Sequence, residues 1–161
     1  MDTWLAIASK RDIRDYADTP IPPEIERRIL DAGRVSGSSR NTQKWEFVVV
    51  ERAQQELANT VYAPHNVATA KLVIAIVGDA AGFDVGRAAQ NMMLAAWDAG
   101  VGSCPNGIAD ADAAARICGG EVKMILSFGY PAKPRDVEAR TAEEWSARAR
   151  RAPLDELVRR V

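Results

Sequence analysis

A continuous apolar run, Leu72 to Val77 (Leu-Val-Ile-Ala-Ile-Val), follows Lys71 with no polar alternation. Such a run predicts a strand covered on both faces. Trp45-Glu46-Phe47-Val48-Val49-Val50 is β-branched and aromatic and predicts a second buried strand, and Val122 to Phe128 supplies a third. Between them the spacing turns helical. Ile21-Pro22-Pro23 precedes Glu24, Ile25, Ile29, Leu30 and Ala32, a helix with proline in its first turn. From Asp84 to Gly100 the helix signals are strongest, with Asp84 placed to cap the start and Gly100 to close the end. Val85, Ala88, Ala89, Met92, Met93 and Ala96 form one apolar stripe, opposite Arg87, Gln90, Asn91 and Asp98. Leu94 interrupts that polar side and Trp97 sits at its edge, so the helix is expected to be covered on both sides. A subunit interface is the expected second cover; a central core helix in a monomer is the alternative. The order reads helix, helix, strand, helix, strand, helix, helix, strand, then a charged tail. No repeat or linker divides it, so a single domain over 1–161 is expected.

Composition narrows the function classes. A chain of 161 residues fits one domain, and 47% hydrophobic with 27% charged residues is ordinary for a globular protein. The net charge of −1 implies no general attraction to nucleic acid or anionic membrane. No apolar run approaches the roughly 20 residues that span a bilayer. Met1-Asp2-Thr3-Trp4 lacks the basic start of a secretion signal, so a cytoplasmic location is expected. Cys104 and Cys118 make neither a disulfide framework nor a Cys-x-x-Cys pair, and His65 is the only histidine, which argues against metal or triad chemistry. Arg148, Arg150, Arg151, Arg159 and Arg160 could form a basic tail for RNA or an acidic partner, but Asp155 and Glu156 interleave them.

Three polar clusters remain. Lys10-Arg11-Asp12-Ile13-Arg14, after a short helix beginning near Thr3, puts three cations in five residues, which suits a phosphate; a solvated basic turn would look the same. Ser36-Gly37-Ser38-Ser39-Arg40-Asn41-Thr42-Gln43 lies on a helix-to-strand loop, where hydroxyl and amide side chains can meet a polar ligand edge or simply solvent. Ser103-Cys104-Pro105-Asn106-Gly107-Ile108 reads as a turn near the start of the next helix, with backbone N–H groups to offer.

In this order the clusters resemble the nitroreductase family. Lys-Arg-Asp-Ile-Arg-Asp-Tyr is similar to the family's opening Arg-Arg-Ser-x-Arg-x-Phe, and Thr19-Pro20-Ile21-Pro22 with the helix to Ala32 to its continuation. Gly37-Ser38-Ser39-Arg40-Asn41-Thr42-Gln43-Lys44-Trp45 resembles Pro-Ser-Ser-x-Asn-x-Gln-Pro-Trp. The stretch from Asp84 to Cys104, containing Ala89-Gln90-Asn91-Met92-Met93-Leu94-Ala95-Ala96, resembles the central interface helix. Gly129-Tyr130-Pro131 and Arg151-Ala152-Pro153-Leu154-Asp155-Glu156-Leu157-Val158 complete the pattern.

The resemblance implies an α+β fold of three layers, a central mostly antiparallel sheet flanked by helices, in an intertwined homodimer with FMN at the subunit interface. It implies that Lys10, Arg11, Asp12 and Arg14 hold the phosphate, ribityl chain and pyrimidine edge of FMN. Gly37, Ser38, Ser39 and Asn41 would reach the flavin of the partner subunit. Asn106 and Gly107 would face the central ring, and Arg151, assisted by Arg150, would close on the phosphate. The implied activity is ping-pong electron transfer from NADH or NADPH to nitroaromatic, quinone or activated-alkene acceptors, with the flavin carrying the chemistry. A flavin-storing protein with little turnover is the alternative. Three departures stand out: Asp12 where serine is common, and Gly37 and Lys44 where proline is usual. The stretches between Val50 and Lys71 and between Gly78 and Asp84 are short for the family, so a more open pocket is expected, with Asn66 a candidate for the pyrimidine edge.

Overall fold

The computed structural model describes residues 1–161. Its elements in chain order are α1 (Thr3–Ser9), α2 (Pro23–Arg34), β1 (Glu46–Val49), α3 (Gln54–Ala58), α4 (Pro64–Ala68), β2 (Leu72–Val77), α5 (Gly82–Asp98), β3 (Gly102–Asn106), α6 (Ala111–Cys118), β4 (Val122–Gly129), α7 (Ala142–Arg148) and α8 (Leu154–Leu157), with a single 3-10 turn at Ser39–Asn41. Two compact units are distinguished, one of residues 11–134 and one of residues 1–10 with 135–161.

In the larger unit the strands run β1-β2-β4-β3, every neighbouring pair antiparallel. Every residue of β2 is buried, as its apolar run requires of a strand covered on both faces. One face packs Ile74, Ile76, Leu126 and Phe128 against Ile29 of α2 and Met92 of α5. The other packs Val73, Ala75 and Ile125 against Leu57, Val67 and Ala114, from α3, α4 and α6. The result is the expected three-layer α+β arrangement with helices on both sides of an antiparallel sheet. No helix is long and apolar enough to cross a membrane.

Several local expectations change. The strand expected over Trp45–Val50 is Glu46–Val49, and it is half-buried rather than buried because it forms an edge, paired only with β2. Ser103 to Asn106 is not a turn but part of a fourth strand, β3. Its Gly-Ser-Cys-Pro-Asn composition has almost no β-propensity, and Pro105 is tolerated because β3 is the other edge of the sheet. Two five-residue helices, α3 and α4, replace the single helix expected between the first two strands. The cap of α5 lies three residues earlier than expected, at Ala81, which lends no side chain. Asp84 therefore lies inside the first turn, where its charge still favours the helix dipole. Gly100, at φ 76°, follows the helix end as expected. Trp97 is buried within a single chain, so of the two residues that suggested a second cover only Leu94 stays half-buried.

In the smaller unit α1 packs on α7. Asp2 caps α1 through Trp4 and Leu5, and Thr141 and Glu144 close a reciprocal capping box on α7. The Trp145 indole N–H donates to the Val137 carbonyl at 2.9 Å, and the Arg140 guanidinium lies 5.2 Å from the centre of its ring. What reads as a charged tail thus contains a packed helix. Its sequence signal was Thr141-x-x-Glu144, each such cap being worth about 1 kcal/mol.

Candidate functional site

The basic segment is stitched to the free edge of β3. The Ile13 N–H donates to the Ser103 carbonyl at 3.0 Å, and Asp12 pairs with Ser103 as a parallel bridge. This covers an edge that would otherwise present unpaired backbone groups. Gly102 makes the approach possible, since a Cβ there would lie 2.6 Å from Ile13 Cβ. With Ile13 turned inward and buried, Arg11 is half-buried and Asp12 and Arg14 are exposed. A second clasp follows at Tyr16. Its hydroxyl lies 2.8 Å from the Ile13 carbonyl and 2.9 Å from Ser127 Oγ. Ala17 N–H donates to the Tyr130 carbonyl at 2.8 Å. Burial pushes the Tyr16 phenol far above its ordinary range, so it remains a neutral donor.

Asn106 and Gly107 sit at the other end of the same strand. Asn106 is buried, and its Nδ2 donates inward to the carbonyls of Cys104 (3.0 Å) and Ile125 (3.3 Å) and to Ser127 Oγ (3.1 Å). Its Oδ1 is buried without a donor. Gly107 is exposed, and its carbonyl accepts the Tyr62 N–H at 3.0 Å. A Cβ on Gly107 would be 3.0 Å from the Tyr62 ring. From Ser103 to Gly107 the strand covers roughly 13 Å. The first and third clusters are therefore neighbours, one at each end of β3. Asn66 is buried nearby, its Nδ2 3.8 Å from Cys104 Sγ.

The second cluster is held elsewhere, by the polar stripe of α5. Asp84, Arg87 and Asn91 share one helix face. The Asp84 carboxylate accepts the Ser39 N–H at 2.9 Å, Asn91 Nδ2 donates to Ser36 Oγ at 2.8 Å, and the Arg87 guanidinium fills the space beside Gly37. Inside the loop Ser38 Oγ accepts the Gln43 N–H at 3.0 Å. Arg40, Asn41 and Gln43 take φ of 52°, 55° and 48°, three left-handed residues without glycine around a right-handed Thr42; such residues are costly and gather where function demands them. Ser39 and Asn41 face solvent. α2 runs antiparallel to α5, Arg28 meeting Asp98 at 2.5 Å near the opposite end. The axis from Asp84 to Asp98 is roughly 21 Å long. Because β3 begins just after that far end, the loop and the basic segment are not brought together in one chain.

Lys10, Arg150 and Arg151 belong to the smaller unit. Lys10 closes α1, its N–H donating to the Ala6 carbonyl at 3.0 Å. Arg150, at φ 50°, and Arg151 follow α7 and are exposed. Sequence reasoning passed over Ser127, although a hydroxyl inside an apolar strand such as Val122–Phe128 signals a buried partner.

The model of the nitroreductase family matches residues 7–81 and 78–130, a span that takes in the basic segment, the loop, α5 and the Gly107 turn. The chain belongs to the nitroreductase family. Arg150 and Arg151 lie beyond the matched span. A protein of Methanothermobacter thermautotrophicus, provisionally named an NADH dehydrogenase/NAD(P)H nitroreductase, is 31% identical over 118 residues, or 67% of this chain. The chain spans 62% of the length of that relative. Among solved nitroreductases, one from Desulfovibrio desulfuricans in complex with FMN superposes with a TM-score of 0.81 at 26% identity, over 98% of this chain and 96% of the other. A nitroreductase family protein from Streptococcus pneumoniae shares the fold at TM-score 0.81 and 18% identity, over 97% and 98%.

Proposed function

We propose that this nitroreductase-family chain is a cytoplasmic FMN-dependent oxidoreductase that takes electrons from NADH or NADPH and delivers them, in ping-pong fashion, to nitroaromatic, quinone or activated-alkene acceptors. The pairing of Asp12 with Ser103 carries the reading, because it sets Arg11 and Arg14 beside the strand that leads to Gly107. The chemistry of the donor set suits FMN. Forked cations beside one end of β3 match a phosphate dianion and an electron-rich ring edge. At the other end the Gly107 backbone is exposed, with the Tyr62 ring beside it. When bound, FMN supplies the hydride chemistry. Arg11 and Arg14 would bind and orient it, with Arg14 favouring negative charge on its reduced form. Asp12 offsets one of those positive charges, and Gly107 gives the ring close access to backbone. The FMN complex of the Desulfovibrio relative supports the choice of cofactor.

A homodimer with sites shared between subunits belongs to the same reading. Within one chain the loop carrying Gly37, Ser38, Ser39 and Asn41 lies the length of α5 away from Arg14, so those residues would serve the flavin of the partner subunit. Leu94, half-buried on α5, is the apolar position such a partner would cover.

The test is the absorbance spectrum of purified protein, taken anaerobically before and after NADH or NADPH. Flavin bands that bleach and then return on adding a quinone are the expected result. A yellow protein that neither nucleotide bleaches would instead indicate flavin storage, and a protein that binds no FMN would overturn the reading.

A further inference from the structure

The two ends of β3 are joined not only by the strand but by side chains running beneath it. Asn106 Nδ2 lies beside the Cys104 and Ile125 carbonyls, which only accept, so the orientation of the amide is determined by its surroundings. Its two N–H groups are shared among those carbonyls and Ser127 Oγ at 3.1 Å. Ser127 Oγ lies 2.9 Å from Tyr16 Oη, and Tyr16 Oη lies 2.8 Å from the Ile13 carbonyl. Ile13 can only accept at that oxygen and Asn106 can only donate at its nitrogen. Ser127 Oγ also lies 3.3 Å from the Cys104 carbonyl and Tyr16 Oη 3.2 Å from the Ser127 carbonyl, so the hydroxyls join Asn106 to Ile13 through a branched network. Hydrogen bonds connected in this manner polarise and strengthen one another in a low-dielectric interior. Nothing in a purely structural core requires three polar side chains here, since the same layer is otherwise filled by Val73, Ala75 and Ile125.

We infer that Asn106, Ser127 and Tyr16 are positioning residues whose hydrogen-bond chain sets the basic segment at Ile13 against the Gly107 turn, and so aligns both ends of the flavin. The inference rests on the proposed FMN site. None of the three touches the flavin in this scheme. Asn106, the residue before Gly107, is anchored to the Cys104 and Ile125 carbonyls, Tyr16 holds the carbonyl between Asp12 and Arg14, and Ser127 connects them. The chain couples the ends energetically, because the donor and acceptor chemistry of each member depends on the next.

Tyr16→Phe and Ser127→Ala remove the chain without changing charge. Two backbone amides report its ends independently of flavin: Ile13 N–H, bonded to Ser103, and Tyr62 N–H, bonded to Gly107. In flavin-free protein, hydrogen exchange at both is expected to quicken in Tyr16→Phe relative to the amides of β2, although Tyr62 lies at the other end of the chain from Tyr16. In protein titrated with FMN, the dissociation constant should rise roughly three- to tenfold, the range one neutral hydrogen bond supports, with an altered visible circular dichroism of the bound flavin. The double variant should be no worse than Ser127→Ala alone. Val67→Ala, which weakens the same layer without touching the chain, should leave the dichroism unchanged. Unchanged exchange at Tyr62 in Tyr16→Phe overturns the inference, as does a dichroism shift of equal size in Val67→Ala. If wild-type protein binds no FMN, the proposed function fails while the exchange measurement still decides whether the two ends are coupled.

Discussion

The basic segment around Ile13 and the polar loop around Ser39 look alike in sequence, each a short run of hydrogen-bonding residues next to a helix, yet they are held by different means. The first is fastened through its backbone, by the Ile13 N–H on Ser103 and the Ile13 carbonyl under the Tyr16 hydroxyl, with Asp12 and Arg14 exposed. The second is fastened largely through side chains of another element, Asp84, Arg87 and Asn91, and carries three left-handed residues that are not glycine. Backbone fastening at Ile13 does not depend on the exposed side chains of Asp12 and Arg14, but fails if the approach is blocked. Side-chain fastening tolerates crowding, because a guanidinium can swing aside, but depends on one helix face.

The largest effect is therefore expected from Gly102→Ala. Its new methyl would meet Ile13 Cβ at 2.6 Å, an atom close to the backbone with nowhere to go. Overpacking of this kind costs about 1–3 kcal/mol, and displacing Arg11 and Arg14 should also weaken FMN binding in a fluorescence titration. A wild-type melting curve together with wild-type binding would show that the segment does not depend on that approach. An intermediate effect is expected for Arg14→Ala and Asp84→Ala, which disable one region each. Loss of a charge-assisted bond costs roughly 1.5–3 kcal/mol, so each variant alone should retain little flavin. Refolded together, they should form mixed dimers in which one of the two sites has both regions intact, and flavin occupancy should recover in part. No recovery would mean that both regions serve the same copy. The smallest effect is expected from Gly37→Ala. Its methyl would meet Arg87 Nη2 at 2.4 Å, but that atom ends a flexible side chain on an exposed residue. A melting temperature changed by more than a few degrees, or about 1 kcal/mol, would place Arg87 among the rigid supports of the loop.

Legibility from sequence followed the strength of local signals. β2 could be read because six apolar residues in a row have few other uses. α2 was readable for its proline at the first position, and the end of α5 for Gly100. The start of α5 was misread because Asp84 looks like a cap. The residue was in fact required for Ser39, forty-five positions away in the chain. β3 escaped because its strand character comes from pairing with β4 and from the cover of Asp12, not from its own side chains. Trp97 suggested a second cover supplied by another subunit, but the single chain already buries it.

Sequence alone determined the family resemblance, the apolar strand at the centre of the sheet, the long two-sided helix and the residue types available to a phosphate and a planar ring. Those features are local, carried by periodicity, composition and short motifs. Tertiary structure decided which clusters lie near one another. It placed the segment of Arg11 and Arg14 beside the start of the strand that leads to Gly107 and set the Ser38–Asn41 loop at the far end of α5. It also turned Asn106, Ser127 and Tyr16 into one chain of hydrogen bonds. Strand pairing and helix length act between residues far apart in the chain, and no short motif encodes them.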